Sequence, residues 1–72
     1  MIGFLPMQLG KNIQKFRKKA GLSREKLAFK CEGKFTGLHL MRVEKGWVKN
    51  PGIELVKAVA DALDVTIDDL AK

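Results

Sequence analysis

The stretch from Ser23 to Gly46, SREKLAFKCEGKFTGLHLMRVEKG, constrains the fold more than any other part of the chain. It reads as two helices, each under ten residues, with a tight connection between them. Ser23 follows Gly21-Leu22 and opens the first, because its hydroxyl can accept from a free N–H of the first turn. Leu27 and Ala28 give that helix a buried face. The connection is Glu32-Gly33-Lys34, where glycine takes a positive φ that other residues resist. Thr36 is a second N-cap candidate, and Leu40 and Val43 lie three apart on one face of the next helix. Gly46 ends that helix at C′, with Arg42 and Lys45 in the last turn, where cations suit the dipole. Helices this short do not stand alone in water, so the remaining chain must cover them.

The flanking segments have the pattern to do so. A helix from about Met7 or Gln8 to Ala20 carries a core stripe of Leu9, Ile13, Phe16 and Ala20, with Lys11, Lys15 and Lys18 on the opposite face. Arg17 sits beside the stripe, and Gly21 ends the helix. Trp47 to Pro51 is a loop broken at Asn50-Pro51. A helix from about Ile53 to Leu63 follows, and Leu55, Val56, Val59, Ala60 and Leu63 mark it as the central buried one. Thr66 and Asp69 form a variant capping box for a last helix that closes the core with Ile67 and Leu70. No strand-like alternation is long enough to defend, so the expected fold is all-α with five helices. Residues 1–7 read as an apolar N-terminal arm ahead of a domain at 8–72. The arm is too short, and lacks the basic start, for a signal peptide, and no run approaches membrane-spanning length.

Charge narrows the function. Residues 1–50 carry twelve Lys/Arg against three acids, whereas residues 51–72 carry two against five. A basic front and an acidic back suit a polyanion on one side, and a pI near 9.8 falls in the range of nucleic-acid binders. A lysine-rich solvated surface would give the same totals. A single cysteine, Cys31, excludes an internal disulfide and a metal pair, and points to a reducing, cytoplasmic setting. No paired carboxylates, metal cluster, phosphate-binding glycine loop or nucleophile–base pair is placed together, so neither an enzyme nor a cofactor is expected.

LGKNIQKFRKKAGLSREKLA, FTGLHLMRVEKG and NPGIELVKAVADALDVTIDDL together resemble the lambda repressor/Cro-like helix-turn-helix DNA-binding domains, of the XRE family, from about Leu9 to Leu70. The joint markers are Arg17 ahead of Gly21-Leu22-Ser23, Leu27-Ala28, Glu44-x-Gly46, Pro51 and Leu63-x-Val65. One departure is a connection about two residues longer than the family's between Leu27-Ala28 and the second motif helix. The resemblance implies a five-helix lambda-repressor-like fold with the motif at helices 2 and 3. It also implies a structural ion pair between Arg17 and Glu44.

In such a motif the second helix, here about 37–45, enters the major groove with its N-terminal residues at base edges. Carried over by position, the base-facing residues are Gly37, Leu38 and Arg42, with His39 beside them. Arg42 has the two-pronged guanidinium that matches guanine O6 and N7, although it is near enough to the helix end to reach a phosphate instead. Leu38 suits a thymine methyl, and Gly37 has nothing to read with. Phosphate contacts are expected from Ser23 and Arg24, from Lys34 and Thr36, and from Lys49 and Asn50. Cys31 reads as a small core hydrophobe, Phe35 and Met41 as packing residues, and Trp47 as a cover for the core edge or a dimer contact.

The leading expectation is a sequence-specific DNA-binding transcriptional regulator that acts on double-stranded DNA as a homodimer. An antitoxin that also grips a toxin partner is the alternative, as is a protein-interaction module whose DNA face, with Gly37 and Leu38, has degenerated. A co-purifying partner would separate the first pair, and the salt dependence of DNA binding would expose the last.

Overall fold

Five helices make up the computed structural model, which describes residues 6–48 and 51–71: α1 (Pro6–Lys19), α2 (Arg24–Lys30), α3 (Gly37–Glu44), α4 (Ile53–Leu63) and α5 (Ile67–Ala71). No strand occurs among the described residues. Helix α1 starts at Pro6, where a missing N–H leaves nothing unpaired, so the last two residues of the expected arm are helical. The rest of the arm, residues 1–5, lies outside the described residues, as do Lys49 and Asn50.

The apolar stripes meet in one core. Leu9 and Ile13 of α1, Leu27 of α2, Leu40 of α3, Val59 of α4 and Leu70 of α5 are all fully buried. Seven or eight residues of α2 or α3 cannot hold a helix by themselves, so this shared core is what keeps them folded. Phe16 and Leu63 pack at its margin. Ala20 is exposed instead of completing the α1 stripe, because α1 ends at Lys19 and Ala20 already belongs to the turn. Across the core, Asn12 Nδ2 donates to the carbonyl of Leu70 at 2.8 Å and ties α1 to α5.

Local capping sets the helix ends. Ser23 Oγ accepts from the N–H of Lys26 at 3.1 Å, and Thr36 Oγ1 accepts from the N–H of His39 at 3.0 Å. At α5 the box is reciprocal: Asp69 N–H donates to Thr66 Oγ1 and Thr66 N–H donates to Asp69 Oδ2. The C-termini of α1, α2, α3 and α4 all close with a paired bond pattern, for example Gly21 N–H to Lys18 O and Leu22 N–H to Arg17 O. That pattern puts one residue in the left-handed region. Glycine fills it after α1 and α3, but Glu32 (φ 62°) fills it after α2 and Asp64 (φ 58°) after α4. The longer connection is thus two successive left-handed residues, Glu32 and Gly33, ahead of Lys34 and Phe35.

Asp64 is doubly unfavourable, with a side chain in the left-handed region and a negative charge at the negative end of α4. Replacing it by glycine removes both penalties against a smaller gain in unfolded-chain entropy. Asp64→Gly should raise stability by about 0.5–1 kcal/mol. An unchanged or lower urea midpoint would contradict this.

Candidate nucleic-acid interface

Helix α3 is held by one face and open on the other. Leu40, Val43 and Glu44 are buried against α1 and α2. On the outer side Leu38 is 57% exposed and Arg42 is exposed, while Gly37 and His39 are half-buried. No other helix of the described residues covers Leu38 or Arg42. Leu38 and Arg42 therefore share the open side of α3, with Gly37 and His39 at its margins.

His39 is more constrained than its neighbours. Its ring stacks on Phe35, with centroids 6.0 Å apart and planes at 16°. Phe35 comes from the longer connection between α2 and α3, so that segment orients a side chain of the open face. Lys34 and Thr36 are exposed on either side of it.

The anchor of α3 is ionic. Arg17 Nε donates to Glu44 Oε2 at 2.7 Å, Arg17 Nη2 to Glu44 Oε1 at 3.2 Å, and Arg17 Nη1 to the carbonyl of Leu22 at 2.8 Å. A third participant enters that was expected only as a phosphate contact: Arg24 Nε donates to Glu44 Oε1 at 3.0 Å. Glu44 is thus a buried carboxylate between two guanidinium groups, with its side chain 1% exposed against 9% for Arg17 and 31% for Arg24. Arg24 spends only its Nε here, which leaves its terminal nitrogens at the surface beside Ser23. No buried side-chain nitrogen or oxygen lacks a partner among the described residues.

The remaining candidates are placed as follows. Ser23 is exposed at the start of α2, next to Arg24. Cys31 is buried, and that burial pushes its thiol pKa up, with Lys34 offsetting part of the shift. Such a thiol stays protonated and unreactive. Trp47 is largely exposed, with Lys45 Nζ 5.8 Å above its ring, so it does not cover the core edge. No group of three or more His, Cys, Asp or Glu able to hold a metal occurs among the described residues, and none of their helices is long and apolar enough to cross a membrane.

Comparison with known proteins places this arrangement. No curated protein matches the chain in sequence. Among solved structures, the restriction-modification controller protein C.AhdI from Aeromonas hydrophila is 28% identical, with a TM-score of 0.81 over 90% of this chain and 94% of its own. The clp gene regulator ClgR from C. glutamicum is 25% identical, with a TM-score of 0.78 over 90% of this chain and 80% of its own. The DNA-binding domain of S. venezulae BldD, at 22% identity, shares the fold with a TM-score of 0.80 over 94% of this chain and 97% of its own. In sequence, the helix-turn-helix family HTH_3 matches residues 13–70. The chain belongs to that helix-turn-helix family, with α2 and α3 as its motif.

Proposed function

We propose that this domain is a sequence-specific DNA-binding transcriptional regulator that lays α3 in the major groove. One observation carries the reading: α3 is fixed through its inner face and ends, while Leu38 and Arg42 stand open on its outer face. The sequence supplies a basic front to match, and both the restriction-modification controller and the clp gene regulator resemble the chain along most of its length. Arg42 reads guanine through O6 and N7, Leu38 meets a thymine methyl, and His39, set by Phe35, contributes a polar contact.

Ser23, Arg24, Lys34, Thr36, Lys49 and Asn50 grip phosphates around this helix and fix its register without reading sequence. Arg24 does so with the guanidinium edge that Glu44 leaves free. The partner is double-stranded DNA inside the cytoplasm, and a homodimer sets two such helices about 34 Å apart on one side of the duplex. No catalysis or cofactor is involved.

Binding to random-sequence selection products tests this directly. With about three cationic phosphate contacts per domain, from Arg24, Lys34 and Lys49, affinity should fall roughly forty-fold between 50 and 200 mM salt. Arg42→Ala should cost about tenfold or more on the selected site and little on unrelated DNA. Lys34→Ala should weaken both alike and flatten the salt slope by about one unit. Affinity independent of salt, or no enriched sequence, would reject the proposal.

A further inference from the structure

The open face of α3 has a gap at its first position, and a different helix fills it. Gly37 has no side chain, yet it is half-buried. A Cβ placed there would stand 3.0 Å from Oε2, 3.2 Å from Cδ and 3.3 Å from Cγ of Glu25. The Glu25 side chain therefore crosses from α2 and lies over the start of α3, with its carboxylate where a residue-37 side chain would begin. Nothing in the sequence pattern assigns Glu25 to this surface.

Its charge suits the first turn of α2, where the helix dipole favours an acid, but at the α3 face it would meet a polyanion. Of the three acids in residues 1–50, Glu44 is neutralised by Arg17 and Arg24, and Glu32 sits in the connection. Glu25 is exposed and has no ion pair among the described residues. A carboxylate facing a polyanion is repelled unless it meets a hydrogen-bond donor. In the major groove only the amines of cytosine N4 and adenine N6 donate, and adenine sets an acceptor, N7, beside its amine. That acceptor repels a carboxylate, and cytosine has no counterpart.

We propose that Glu25 is a base-reading residue that accepts a hydrogen bond from N4 of a cytosine, in place of the side chain that Gly37 lacks. The assignment rests on α3 lying in the major groove, and it adds a preference that α3 alone does not supply. It also makes Glu25 a brake on binding to unrelated DNA, where its charge meets no donor.

Selection from random double-stranded DNA with the wild-type chain and Glu25→Gln tests it. The wild-type motif should hold a cytosine at one fixed place in each half-site, and a thymine there should weaken binding by roughly tenfold. Glu25→Gln should keep the rest of the motif but turn that cytosine to adenine, since a glutamine pairs with adenine N6 and N7. It should also bind unrelated DNA more tightly. Gly37→Ala is a second route: its Cβ pushes the flexible end of Glu25 aside, and the cytosine preference should fade with the helices intact by circular dichroism. An unchanged motif in both variants, or a wild-type motif with no constant cytosine, overturns the role of Glu25 while leaving DNA recognition in place. Absence of any enriched motif removes both.

Discussion

Gly10→Ala should lower the melting temperature by more than about 10 °C, although alanine is the better helix former by roughly 1 kcal/mol. Gly10 lies inside α1 and is buried against the end of α3. A Cβ there would be 2.3 Å from the carbonyl oxygen of Val43 and 2.7 Å from that of Glu44. Neither oxygen is free to retreat. Val43 O accepts the Gly46 N–H that closes α3, and Glu44 carries the ion network on its side chain. Helices α1 and α3 would have to separate by about an ångström, loosening Leu9, Ile13, Leu40 and Val43 together. Overpacking costs about 1–3 kcal/mol even where side chains can adjust, and backbone cannot, so a net loss of about 2–4 kcal/mol is expected. Each kcal/mol is about 4–8 °C for a domain of this size. Gly21→Ala is the control: its Cβ meets nothing within 4 Å, so only the strain of φ +73° remains, at about 1 kcal/mol. A Gly10→Ala melt close to wild type, or milder than that of Gly21→Ala, would refute the close-approach account.

What could be read from the chain follows the range of each interaction. Ser23, Thr36 and the Thr66–Asp69 box act within four residues of themselves, so their capping roles are visible as spacing. The bounds of α4 and the buried positions Leu55, Val56, Val59 and Ala60 are visible for the same reason, through a 3.6-residue period. The left-handed residues after α2 and α4 are less legible. Glu32 and Asp64 take a conformation usually left to glycine, and Gly33 beside Glu32 hides which one closes the helix. Least legible are contacts between distant segments. Gly10 looks like a weak point in α1 until the α3 carbonyls arrive from more than thirty residues away. Arg24 looks like a free surface cation until its bond to Glu44, twenty residues on, is seen. Arg17 and Glu44 are paired by the family resemblance, and spacing alone does not pair them. On the open face, local pattern placed Leu38 and Arg42 on one side of α3. It could not bring in Glu25, which reaches that face only through the angle between α2 and α3.

Glu44→Gln should be at least as damaging as Gly10→Ala, for an electrostatic reason. The substitution keeps the shape of the side chain and removes its charge, leaving Arg17 in a site where its own side chain is 9% exposed. Arg17 keeps its bond to the Leu22 carbonyl, but a dipole does not replace a carboxylate for a desolvated cation. Breaking one side of a buried pair costs about 3–5 kcal/mol, against a total of roughly 4–11 kcal/mol for a domain of this length. Arg24 adds little to this loss, because it is 31% exposed and can turn to water, and Arg24→Ala should cost at most about 1 kcal/mol. The decisive comparison is the double variant Arg17→Met with Glu44→Leu, which removes both charges and fills the space with apolar atoms. It should recover most of the stability lost in Glu44→Gln, since desolvating an ion pair roughly cancels its attraction. DNA affinity should not recover with it, because Arg24 then has no carboxylate to hold its guanidinium edge toward phosphate. Urea denaturation gives the first result and a binding titration the second. Equal stability of Glu44→Gln and wild type would show that α3 is held by its apolar contacts alone. Full DNA affinity in the double variant would show that Arg24 needs no orienting partner.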